Sequence, residues 1–151
     1  MPGAPYGRIR VVRQILHSVH IHAAPSKVYD AITTAKGLRG WWTNKVEAEE
    51  RVGGVIRFTF ASDFNPQMKP TTLEKPRLVV WQCIGGHPNW QDNTFRFTLN
   101  ERNGETLIMF LQDYARELSD EIYGDYNFNW GYYLNSLKRF CETGAGSPFT
   151  A

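Results

Sequence analysis

Two cysteines in 151 residues, Cys83 and Cys141, leave no disulfide framework and no paired-Cys metal motif. Each reads as a buried free thiol. No apolar run reaches the ~18 residues of a membrane span, and the start lacks a signal-peptide core. Membrane insertion is therefore not expected, and the cytoplasm is the default compartment. Neither sign of charge dominates, the formal net charge being +2. The only basic cluster, Arg8, Arg10 and Arg13, reads as a solvated, frayed tail rather than a nucleic-acid stripe, so no nucleic-acid partner is expected. There is no phosphate loop, dinucleotide fingerprint or Gly-x-Ser-x-Gly elbow. Gly144-Ala145-Gly146 fails the phosphate-loop context because it does not join a strand to a helix. Nothing implies a cofactor.

Aromatics are what the chain has in excess: five Trp, seven Tyr and nine Phe, 14% of residues. Rings at that density indicate a large core or a ring-lined cavity. The length suits one domain. Residues 1–13 read as a flexible leader, 14–146 as the domain and 147–151 as a short tail.

Turn residues divide the domain. Gln14 to His22 alternates as a strand, with Ile15, His17, Val19 and Ile21 on one face. Pro25 suits a first helical turn, because its missing N–H would be unpaired there. A helix then runs to about Thr34, followed by a second short one weakened by Gly37 and Gly40. Lys45 to Glu49 and Val55 to Ala61 read as strands around a reversal at Gly53-Gly54. Ser62 to Pro70 reads as a loop, Thr71 to Glu74 as a short strand, and Leu78 to Cys83 as another. Ile84 to Asp92 is a Gly/Pro-rich loop. Asn93 to Glu101 and Thr106 to Asp113 form a hairpin across Asn103-Gly104. The second of these strands is apolar on both sides, so cover is expected on both faces, at least in part. From Asp125 to Glu142, Tyr126, Trp130, Tyr133, Leu134, Leu137, Phe140 and Cys141 make an apolar stripe at helical spacing, with Gly144 as C-cap. The expected fold is α+β: a curved antiparallel sheet wrapped around a long C-terminal helix, with two short helices after the first strand.

The run Ala24-Pro25-Ser26-Lys27-Val28-Tyr29-Asp30-Ala31-Ile32-Thr33, then Gly37-Leu38 and Trp41-Trp42, resembles the START-like (SRPBCC) helix-grip superfamily. So do Gly53-Gly54 before a Phe-rich strand, Glu74-Lys75-Pro76-Arg77-Leu78-Val79 into Trp81, and Trp130 through Leu134, Leu137 and Phe140. The branch it most resembles is that of proteins related to the activator of the ninety-kilodalton heat-shock chaperone's ATPase. The resemblance covers about Gln14 to Gly146. Superfamily members include lipid and hormone carriers, polyketide cyclases, stress-related proteins and co-chaperone domains, which share a cavity between sheet and helix. The likeness fixes no activity. Two departures stand out: Gln112 occupies a position where the family commonly has His, and the Ile84–Asp92 loop is longer than usual.

Few residues promise chemistry. His20 and His22 share a strand face, but a metal needs a third ligand that the sequence does not identify, so a solvated face is the preferred reading. His87, in a Gly/Pro loop beside Asn89 and Trp90, has two readings, the border of a cavity entrance or a surface loop side chain, and the surface reading is preferred. Cys83 lacks an identifiable cationic neighbour to form thiolate. Asp113 and Glu117 follow the last strand; Asp120 and Glu121 precede the helix and suit its dipole. The expected site is a cavity lined by Trp42, Phe58, Phe60, Trp81, Phe95, Phe97, Phe110, Trp130 and Tyr133. Gln112, Asn127 and the Tyr133 hydroxyl are the polar groups that orient a ligand. The expected function is binding of a small apolar or aromatic molecule, lipid or polyketide-like. The alternatives are a co-chaperone-like interaction module, with a chaperone as partner, and a cyclase- or hydrolase-type enzyme using the same cavity. A homodimer is compatible with each.

Overall fold

Alternation of apolar residues along each strand builds one buried face. In register across four strands, Ile15 lies beside Gln112, Gln112 beside Phe95 and Phe95 beside Trp81. The next rung runs His17, Phe110, Phe97, Val79. Such same-face cross-strand pairs are the unit of sheet stabilisation. The computed structural model describes residues 13–151; of the leader read over 1–13, all but Arg13 lies outside the described residues.

The elements are β1 (Gln14–Ile21), α1 (Pro25–Thr33), α2 (Ala35–Arg39), β2 (Lys45–Ala48), β3 (Ile56–Thr59), β4 (Gln67–Glu74), β5 (Leu78–Gly85), β6 (Thr94–Arg102), β7 (Glu105–Asp113) and α3 (Asp120–Thr143). The seven strands form one antiparallel sheet in the order β1-β7-β6-β5-β4-β3-β2. It curls into a half-barrel around α3, which is the predicted helix-grip fold. On the convex side Leu107, Met109 and Leu111 are half-buried, the partial cover their two-sided pattern implied.

Four sequence expectations need correction. β4 begins at Gln67, inside the stretch read as loop. Pro70 misled because it cannot donate to a ladder; here it sits where the β4–β5 register shifts. α3 begins at Asp120, five residues earlier than expected, because the Ser119 side chain accepts from the Ile122 N–H. Asp120 and Glu121 thus lie in its first turn rather than before it. Arg13 is not part of a solvated tail: its guanidinium pairs with Asp120 and lies 4.8 Å over the Tyr123 ring. The last residues are docked as well: Phe149 donates to the Trp42 carbonyl at 2.8 Å and accepts from Asn44 N–H at 2.9 Å.

The expected caps hold. Gly144 takes a left-handed φ of 86° and returns its N–H to Phe140 O, and Asn103 and Gly104 turn the β6–β7 hairpin with φ of 53° and 82°. Gly37 is required for packing. A Cβ there would lie 2.6 Å from Ala31 Cα and from Asp30 O, so α2 is pressed against the backbone of α1. In an exposed helix Gly→Ala gains about 1 kcal/mol. Gly37→Ala is expected to lose stability instead, by about 1–3 kcal/mol of overpacking, read as a lowered urea midpoint. A raised midpoint would show that the α1–α2 contact yields.

Candidate functional site

Four of the five tryptophans gather around the fifth, Trp42. The Trp42 centroid lies 5.8 Å from Trp41, 6.2 Å from Trp81, 6.3 Å from Trp90 and 5.1 Å from Trp130. Trp42 reaches this position because Thr34 caps α2 and the chain leaves α2 directly into the sheet–helix interior. Trp130 meets it from α3, donating its indole N–H to Gln112 Oε1 at 2.8 Å.

Beyond this cluster the rings stop filling space. A partly open cavity of about 360 Å³ remains between the first half of α3, the end of β3 and the β5–β6 loop. Its indole walls are Trp42, Trp90 and Trp130. Phe60, Ala61, Phe64 and Pro66 line it from the β3–β4 connection, and Phe149 from the C-terminal segment. α3 contributes Tyr126 and Tyr133, with Asp125 and Asn129 exposed at the rim. The volume is at the lower end of the usual small-molecule range.

The β5–β6 loop supplies the remaining wall. His87 stacks on Trp90 at 4.0 Å and 7°, and the Tyr126 hydroxyl donates to Asn89 Oδ1 at 2.6 Å. Asn93 Oδ1 accepts from Ala115 N–H at 2.8 Å, tying the loop's end to the β7–α3 connection. Gly86 makes the loop possible: its φ is +79°, and a Cβ there would lie 2.0 Å from Asn65 O. Burial pushes the His87 pKa down to about 4, so the ring is neutral near pH 7. Because His87 Nδ1 accepts the Asn89 N–H at 3.1 Å, its proton is assigned to Nε2. Burial, and then the Asp125 charge, raise the Tyr126 pKa; burial, and then Tyr132, raise that of Tyr133. Both phenols stay protonated. The inner walls are uncharged, and Asp125 is the one ionic group in the lining.

The residues expected to line the cavity divide. Trp42, Phe60, Trp130 and Tyr133 do so. Phe58, Trp81, Phe95, Phe97 and Phe110 are at most 1% exposed and lie behind them as packed core. Gln112 is sealed beneath Trp130. Asn127 points the other way, its Oδ1 3.0 Å from His17 Nε2 on β1. His87 and Trp90, read as loop residues, are walls, and so is Phe149, read as tail. Loop and tail residues carry no period, so alternation could not find them. The one available signal was the conjunction of His87 and Trp90 in an otherwise polar Gly/Pro loop.

Nucleophilic chemistry has no support at the cysteines. Both are free and buried. Burial raises the Cys83 thiol, whose Sγ lies 3.4 Å from Gly85 O, and pushes Cys141 up to about 12.

The model of the family described as "Activator of Hsp90 ATPase homolog 1-like protein" matches residues 22–142. Among solved structures, the solution structure of the Aha1 dimer from Colwellia psychrerythraea is 34% identical, covers 89% of this chain and 99% of that one, and superposes with a TM-score of 0.80. CalU16 from Micromonospora echinospora is 20% identical, with coverage of 90% and 78% and a TM-score of 0.70. DynU16, from the dynemicin biosynthetic locus, is 17% identical, with coverage of 88% and 48% and a TM-score of 0.71. These last two show the fold alone. No curated protein matches the chain. Among the described residues no helix is long and apolar enough to cross a membrane.

Half-buried His87, desolvated against Trp90, makes stability depend on pH. Above about pH 6.5 the ring is neutral folded or unfolded. Below it the unfolded ring takes a proton that the folded ring refuses until about pH 4. Stability is expected to fall with acidification across that window. Urea midpoints between pH 7 and 4 should fall less steeply in His87→Phe than in the parent. Equal slopes would contradict the neutral assignment.

Proposed function

The chain belongs to the family of Activator of Hsp90 ATPase homolog 1-like proteins, and on that footing we propose that it holds one small, uncharged apolar or aromatic molecule between α3 and the β5–β6 loop. One observation carries the reading: about 360 Å³ remain where three indoles and neutral His87 converge. Apolar walls supply affinity, and a few polar groups fix orientation. The Tyr133 hydroxyl and His87 Nε2–H are the orienting groups. Gln112 and Asn127 are committed to Trp130 and His17. Flat indole walls favour a planar ring system, of polyketide-like kind, over a flexible acyl chain, whose ordering would cost more entropy.

The neutral probe N-phenyl-1-naphthylamine reads this site directly, since Trp42, Trp90 and Trp130 lie in its walls. Saturable quenching of Trp emission is expected, with one probe bound per chain by native mass spectrometry. Ala61→Trp, which places a ring at the mouth, is expected to weaken binding at least about tenfold, or about 1.4 kcal/mol, with the far-UV spectrum unchanged. Binding equal in parent and Ala61→Trp, or no saturable binding at all, refutes the site.

A second reading, an interaction module, is favoured by a separate observation. Phe128 and Tyr132, one helical turn apart on the outer side of α3, are 76% and 53% exposed. Paired aromatic anchors of this kind characterise binding hot spots. If they are the contact, whether to a second copy as in the Colwellia dimer or to a chaperone, Phe128→Asp abolishes it. Sedimentation equilibrium and the ninety-kilodalton heat-shock chaperone's ATPase rate measure the two cases. A monomeric parent that leaves the rate unchanged removes this reading and leaves the cavity untouched.

A further inference from the structure

At the far end of β1, on the convex side of the sheet, the missing third ligand for the histidine pair is present. His20 Nε2 lies 3.2 Å from Glu105 Oε1, and His22 Nδ1 lies 2.9 Å from Glu105 Oε2. The donor atoms of all three residues fall within 4.8 Å of one another. The sequence could not show this, because Glu105 is 83 residues from His22. The antiparallel register makes the connection: Ile21 pairs with Thr106, which brings the next residue on β1, His22, opposite Glu105. His20, two residues back, shares the same face.

We propose that His20, His22 and Glu105 form a binding site for one divalent transition-metal ion. Two donors each about 2.1 Å from a metal stand about 3.0 Å apart at a right angle and about 3.4 Å apart at the tetrahedral angle. The observed separations of 2.9 and 3.2 Å are close to that span. An ion would replace the contacts that now join each imidazole to Glu105, with side-chain rotation closing the donors, which lie within 4.8 Å of one another, onto it. Two imidazoles and a carboxylate suit zinc, nickel, cobalt or copper rather than calcium or magnesium, which prefer all-oxygen shells. The imidazole edges are set at 68° to each other with centroids 4.7 Å apart, so both rings address the carboxylate from different directions. Both histidines are exposed, which leaves room for water on the metal.

The backbone of the pair is held from α3. Glu142 accepts the His22 N–H at 2.7 Å, and Lys138 Nζ donates to the His20 carbonyl at 2.5 Å and to Glu142 at 2.8 Å. The same His22 N–H, followed by Lys138, lowers the Glu142 pKa. His22 lies one residue beyond β1 and would otherwise fray; this clamp keeps it beside Glu105. The neighbouring cations are Lys138, already shared with Glu142, and Arg102, Glu105's register partner on β6.

The test uses tag-free chain stripped with chelator, then titrated with cobalt(II) or zinc(II) alone. The expected result is one ion per chain, a dissociation constant below about 10 μM, and cobalt visible bands that develop to one equivalent. His20→Ala, His22→Ala and Glu105→Gln should each weaken binding at least about tenfold, whereas Glu101→Gln, on the neighbouring strand, should not. Circular dichroism on each variant separates lost ligation from lost fold. No binding below 1 mM, on the order expected of no organised site, or binding unchanged in His20→Ala/His22→Ala, overturns the site. Binding unchanged in Glu105→Gln overturns its three-donor form.

Discussion

The insertion of Trp130 into the concave face is the constraint on which the rest of the structure depends. Its ring meets Phe110 at 4.3 Å, Trp42 at 5.1 Å and Phe95 at 6.1 Å, and its N–H is spent on Gln112. A buried indole donor without a partner would cost about 1–3 kcal/mol. The Gln112 bond therefore fixes the rotation of α3 as well as its depth. With about 100° per residue in a helix, Tyr126 and Tyr133 then fall about 40–60° to one side of Trp130, and Asn127 and Leu134 about 40–60° to the other. One flank faces the cavity. The other meets β1, where Asn127 finds His17 and Gly131 passes beside the same ring, a Cβ at this position falling 3.6 Å from His17 Cε1, an ordinary contact.

The cavity follows from where large rings can and cannot interdigitate. Over the middle of the sheet the rungs of Phe95, Phe97, Phe110 and Trp81 are matched by Trp130 and Trp42, and the interior is full. Toward the β5–β6 loop the sheet curls away and α3 offers tyrosines whose hydroxyls need polar partners. Tyr126 finds Asn89, while Tyr114, in the β7–α3 connection, accepts the Trp90 indole N–H at 3.2 Å. The first bond ties the loop to α3 and the second to the β7–α3 connection, so the rings cannot collapse onto one another and a gap persists between them.

Legibility in the sequence followed periodicity. Strand alternation identified the buried face of β1, β6 and β7, and spacing of three and four found α3, because both signals come from a repeating backbone geometry. Pro70 hid the start of β4, and Ser119 marked the true start of α3 only through a side-chain cap. Within the candidate site, facing inward was mistaken for lining a cavity: Phe58, Trp81, Phe95, Phe97 and Phe110 face inward and are simply packed. The resolution of a stripe into two flanks requires knowing which residue sits deepest, and spacing alone does not rank Trp130 above Tyr126 or Tyr133. His87 and Trp90 gave only their conjunction in a Gly/Pro loop as a signal, and Phe149 gave none, because long-range closure, with no local period, brings them to the wall.

α3 also separates the two proposed sites, which are chemically opposite. Trp130 and Glu142 are 12 residues apart, about 18 Å along the helix axis. At the first end neutral, buried groups surround an apolar gap. At the second, Glu142 and Lys138 reach past the edge of the sheet to hold the backbone of an exposed histidine pair. Between them Leu134, Leu137 and Cys141 are close to fully buried, and so tight a core passes little but rigid displacement. The helix therefore keeps the ends electrostatically separate. A charge gained at the histidine–carboxylate end meets water and counter-ions before it meets the cavity, while a tilt of the helix would be felt at both.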